Sequence, residues 1–137
     1  MFTINVFLIS NSILFLLMSL IHVYWAFGGK WGTEGVLPSR DGQKVLNPRP
    51  IGTLAVAAVL GSFALGSLNA MEWSPYISLT IGVLFSLRVI GDFNYVGLFK
   101  RVRNTVFARS DNRYFIPLCL YIGTTNLFVF WYMSNLL

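Results

Sequence analysis

The chain has 137 residues, 55% of them hydrophobic, 16% aromatic and only 11% charged, against about 25% charged in an ordinary soluble domain. That balance suits one small membrane domain, residues 1–137, and not a soluble monomer. A net charge of +5 raises the question of a phosphate-backbone partner, but the placement of the cations answers it through membrane topology, and no nucleic-acid partner is expected.

Four nearly charge-free runs stand out: Val6 to Phe27, Ile51 to Ala70, Tyr76 to Phe99 and Phe115 to Met133. Each approaches the roughly 20 residues a helix needs to cross about 30 Å of hydrocarbon. Backbone groups in lipid must be paired within the segment, so the runs are expected to be helices. The predicted fold is all-α, an integral membrane four-helix bundle with helices near 6–27, 51–70, 76–99 and 115–133. Lys30, Arg40, Lys44 and Arg49 fall in the first loop, and Lys100, Arg101, Arg103, Arg109 and Arg113 in the third. The second loop has no Lys or Arg. The bias places loops one and three in the cytoplasm and both termini outside.

The first run lacks the basic leader of a signal peptide and exceeds its apolar core in length. Ser12, Ser19, His22 and Ala26 share one face of the predicted helix, leaving Leu16, Leu17 and Leu20 for lipid. The loop from Gly28 to Pro50, rich in Gly and Pro, reads as a cap over the cytoplasmic end. Within it Trp31 is expected at the interface or over the bundle mouth, and Glu34 either folds toward the interior or stays solvated. The second run places Ala58, Ser62, Gly66 and Ala70 at four-residue spacing, a small-residue ridge for close helix approach within the chain or in a homo-oligomer. Trp73, Tyr76, Trp131 and Tyr132 read as outer-interface anchors.

The third run holds a cation and an anion, Arg88 and Asp92, one helical turn apart. Such charges are costly in lipid and normally face protein or water. At 1.5 Å per residue, His22 and Asp92 would lie about 8 and 10 Å from the cytoplasmic ends of their helices, with Arg88 and Cys119 in reach of the same region. Two readings stay open. Arg88 and Asp92 pair along one helix face and only fix helix register. Alternatively, Arg88 holds an anionic group while Asp92 orients His22, the only histidine, for proton transfer. On the second reading, catalytic His22 and Asp92 sit beside ligand contacts from Trp25, Trp31, Glu34, Arg88, Tyr95, Arg109 and Asp111, the last two reaching back from a basic third loop that otherwise lies on anionic headgroups.

No close-spaced ligand motif supports a metal, and neither a nucleotide loop nor another cofactor motif is present. The lone Cys119 leaves no internal disulfide or dithiol chemistry and reads as a small residue filling helix four.

The pieces HVYWAFGGKWGTEGVLP, NPRPIGTLAVA, LRVIGDFNYVGLFK and TVFARSDNRYFIPLCLY, spanning His22 to Tyr121, resemble a bacterial family of small four-helix membrane proteins, domain of unknown function 3995 (DUF3995). The resemblance implies a bacterial inner-membrane protein and no particular activity. It also implies that His22, Trp25, Trp31, Arg88, Asp92, Tyr95, Arg109 and Asp111 belong to one recurring pattern. Two functions follow as expectations. The first is binding of a small amphiphilic or lipid-like ligand in a polar pocket of the cytoplasmic half, with His/Asp acid–base chemistry. The second is a non-catalytic transporter, immunity, stress or accessory subunit whose buried charges are structural.

Overall fold

A computed structural model describes residues 2–40, 43–69 and 75–136. The long helices are α1 (Phe2–Ala26), α3 (Pro50–Leu68), α4 (Tyr76–Ile90) and α6 (Ile116–Ser134). Among the described residues there are also two short helices, α2 (Thr33–Val36) and α5 (Val106–Ser110), and an antiparallel pair of β1 (Ser39–Arg40) and β2 (Gln43–Lys44), with Ser39 opposite Lys44. Three helical stretches among the described residues are long and apolar enough to cross a membrane: Phe2–Ala26, Pro50–Leu68 and the continuous Val106–Ser134. α4 is apolar and shorter, at 15 residues. Of the expected elements, Ala70 and Trp73 lie outside the described residues, while Tyr76 and Trp131 are exposed.

α1 ends where glycine permits a reversal. Gly28 has φ 91°, its N–H donates to the Trp25 carbonyl, and the Gly29 N–H donates to the Tyr24 carbonyl. This pair of bonds is a Schellman closure, which needs a left-handed residue just past the helix. From there the cap begins, and α2 packs against α5. The first and third loops therefore meet at one end of the molecule, called here the loop end.

The long helices pack mainly as two pairs, α1 along α3 and α4 along α6. In the α1–α3 seam, the Ser12 and Ser19 hydroxyls donate to the Ala64 and Ala57 carbonyls at 2.9 and 2.8 Å. Such bonds demand close backbones, which the small residues of α3 allow. The seam uses Ala57, Leu60 and Ala64, in a buried stripe that Ser67 continues, whereas Ala58 and Ser62 of the predicted ridge face outward and Gly66 is buried. A three-and-four stripe, not strict fours, follows a 3.6-residue helix. α4 and α6 approach at Gly82, where a Cβ would press on the Leu127 side chain, and at Gly123, where it would meet Ser86. Phe15, Leu60, Ala64, Ile81 and Ile122, from α1, α3, α4 and α6, form a shared buried cluster. Asn11 reaches from α1 to α6, donating to Thr125 Oγ1 at 3.0 Å.

Two helix ends differ from the hydropathy reading. α4 stops at Ile90 instead of continuing to Phe99. Gly91 and Gly97 take φ 86° and 88°, and a Cβ at Gly91 would collide with the Val96 carbonyl. The chain doubles back there, with the Leu98 N–H on the Val89 carbonyl at 2.8 Å. The last membrane-length helix instead starts early, at Val106, where the Thr105 hydroxyl caps it by accepting from the Ala108 N–H at 3.1 Å. A π-helical turn, Asp111–Phe115, follows. Pro117 supplies a reason: it has no N–H and its ring would crowd the carbonyl four residues back, so a widened turn relieves both problems.

Candidate functional site

The end of α4 is held to the start of the last long helix by charge. Arg88, in the final turn of α4, donates through Nη2 to Asp111 Oδ1 at 2.8 Å. The other carboxylate oxygen, Oδ2, accepts from Lys100 Nζ at 2.8 Å and from the Gly97 N–H at 3.0 Å. Lys100 spends its remaining two protons on the Gly97 carbonyl at 3.0 Å and Asn112 Oδ1 at 2.6 Å. Asp111 is fully buried and Lys100 2% exposed. Ions this dry persist only when paired and hydrogen-bonded, and every side-chain polar atom of Asp111 and Lys100 has a partner. Arg88 is looser: its side chain is 32% exposed, and Nη1 is buried with no partner among the described residues.

The expected partner of Arg88 lies elsewhere. Asp92 sits past the helix end, exposed, and its Oδ1 accepts from the N–H groups of Asn94, Tyr95 and Val96 at 2.8–2.9 Å. Slight burial pushes this carboxyl up, but the Val96, Asn94 and Tyr95 amides together outweigh it and hold the pKa below the usual carboxylate value. Asp92 thus organises the turn that reverses the chain, and the Arg88–Asp92 pair predicted from one-turn spacing is replaced by Arg88–Asp111.

His22 is partly buried in the last turns of α1. Its Nδ1 donates to the Met18 carbonyl at 2.7 Å, since a carbonyl can only accept, and its ring packs edge-on to Trp25 at 5.1 Å. Trp25 in turn donates through Nε1 to the Trp31 carbonyl at 2.9 Å, which ties the cap to α1. Trp31 itself is exposed, as is Glu34 in the first turn of α2. Tyr95 enters through its backbone. Arg109 lies on the wall of a cleft formed by the first and third loops. Of the predicted residues, then, the structure brings Arg88 and Asp111 together, while His22 bonds within its own helix and Asp92 within its own turn. Among the described residues, no three His, Cys, Asp or Glu side chains cluster as metal ligands. Cys119 is buried with Val89 and Ile116.

Lys100, Asn112 and the Gly97 N–H were not singled out by sequence. Lys100 directly follows an apolar stretch, Val96 to Phe99, but Arg109 likewise follows Val106 to Ala108, so chain position alone did not separate Lys100 from the other loop cations.

The family model for "Protein of unknown function (DUF3995)" matches residues 15–125. The chain belongs to this family. The matched span contains the whole ion cluster, the Asp92 turn and the cap, together with α3, α4 and parts of α1 and α6. Comparisons with curated proteins and with solved structures found no match.

Proposed function

We propose that this DUF3995 protein is a non-catalytic, multi-pass protein of the bacterial inner membrane whose buried charges are structural. α4 would complete a fourth crossing beside α6, with the loop end in the cytoplasm and both termini outside. The contact between α2 and α5 supports placing the two cation-rich loops on one side. The observation behind the structural reading is Asp111, both of whose oxygens are bonded within the protein, Oδ1 to Arg88 and Oδ2 to Lys100 and the Gly97 N–H. A carboxylate so used joins α4, the reversing loop and the last helix, and its burial and two cation partners favour a structural role. The outward-facing Ala58 and Ser62 leave one face of α3 for a second copy, in line with an accessory or scaffold role.

A second reading retains a ligand, amphiphilic or lipid-like, inside the loop-end half. It draws on the buried Nη1 of Arg88, which has no partner among the described residues and which an anionic or carbonyl group would satisfy. Native mass spectrometry of gently extracted protein separates the two. The structural reading predicts a bare mass, or a phospholipid adduct unchanged by Arg88→Ala. A stoichiometric small adduct that disappears in Arg88→Ala would establish the interior ligand instead.

A further inference from the structure

The cleft between the first and third loops has a volume of about 590 Å³. Arg40 enters it from β1, and Arg101, Arg103 and Arg109 from the third loop and α5, with Asn104 and Thr105 between them. Among the described residues, no carboxylate pairs with Arg101, Arg103 or Arg109. Arg103 is held in place, its Nε donating to the Lys100 carbonyl at 3.1 Å, so the cleft wall is built on the buried ion cluster. Cytoplasmic topology requires only that cations lie on this side of the membrane. It does not require that residues about sixty positions apart fold around a shared concavity.

We propose that this cleft binds the phosphate of an anionic lipid headgroup. Guanidinium groups match phosphate oxygens in fork geometry and keep their charge at any physiological pH, and basic clusters beside a membrane recognise anionic headgroups. The lipid source is favoured over a free phosphate by what lies next to the cleft. Phe93, Leu98 and Phe99 are 53–60% exposed, and the rings of Phe93 and Phe99 stack at 6.2 Å. The Arg101 and Val102 N–H groups both donate to the Asn94 carbonyl, at 3.1 and 2.9 Å, which fixes this apolar projection against the cleft. An exposed aromatic edge joined to an arginine-lined cleft suits a molecule with acyl chains and a phosphate.

The test uses the full chain in a neutral detergent, titrated with dioctanoyl phosphatidylglycerol, dioctanoyl phosphatidylcholine or inorganic phosphate, and read by native mass spectrometry. The proposal expects a saturable 1:1 phosphatidylglycerol adduct, no equivalent phosphatidylcholine adduct, and no displacement by inorganic phosphate at equal concentration. In Arg101→Gln/Arg109→Gln, two exposed positions, affinity should fall by about tenfold or more, as expected for lost charge-assisted bonds. Lys30→Gln/Arg49→Gln, which removes the same charge outside the cleft, should leave it within about twofold. Equal loss in both double variants would reduce the effect to net charge and overturn the site. Equal binding of the two lipids, or displacement by inorganic phosphate, would overturn the anionic-lipid assignment.

Discussion

Along the α1–α3 seam, Ser12 and Ser19 each donate to one backbone carbonyl of α3. At the loop end, one carboxylate gathers two cations and an amide within 3.0 Å. The seam lies among apolar neighbours, where a neutral hydroxyl needs only one acceptor and exacts little if that bond is lost. The loop end buries full charges, where a missing partner leaves an ion in low dielectric. Small polar residues therefore adjust helix spacing inside this protein, while its ions lock loops to helix ends.

This contrast predicts an ordered set of effects. Asp111→Ala should be the most damaging, about 3–5 kcal/mol in detergent unfolding, the range for breaking a buried ion pair. Most of that loss comes from stranded Lys100, since Arg88 keeps partial access to water. Combining Asp111→Leu with Lys100→Met should recover a large part of it, because a packed apolar pair has no desolvation cost to repay. Gly91→Ala comes next, at about 1–3 kcal/mol from the left-handed backbone alone, with further loss from the collision with the Val96 carbonyl; unfolding of the purified variant measures it. Ser12→Ala should cost only about 0.6 kcal/mol, the average for hydrogen bonds between membrane helices, and the same unfolding assay would place it last among the three.

The Asp92 turn has its own signature in pH. Because the folded-state pKa is depressed, the turn's stabilisation is present above the ordinary carboxylate pKa and is lost as pH falls through the lower folded value. Amide exchange at Asn94, Tyr95 and Val96 should thus show steady protection from neutral pH down to the ordinary carboxylate range and a decline only in more acidic solution. In Asp92→Asn that acid dependence should vanish.

The same contrast explains what could be read from the chain. α1 and α3 were legible because an unbroken charge-free run of membrane length leaves the backbone little choice but helix. The early end of α4 was hidden because Phe93, Val96, Leu98 and Phe99 keep the stretch apolar beyond Gly91 and around Gly97, so composition runs on while the backbone reverses. The early start of the last helix was hidden for the opposite reason: Arg109, Asp111 and Arg113 look like loop, yet the Thr105 cap and a π turn carry the helix through them. Arg88 stood out as a charge that should face protein or water. One-turn spacing pointed to Asp92, but that residue lies beyond the helix end, and Asp111, 23 positions away, is brought near only by the packing of α4 on α6. For the same reason Asn11 and Thr125, 114 positions apart, gave no local sign of pairing.

A double-mutant cycle between Arg88 and each candidate aspartate, read as unfolding free energy in detergent, tests the central claim most directly. Arg88→Met with Asp111→Asn should show a coupling of about 1–3 kcal/mol, as for neighbours in one charge network, while Arg88→Met with Asp92→Asn should be additive within about 0.5 kcal/mol. Strong coupling to Asp92 together with additivity at Asp111 would contradict the account.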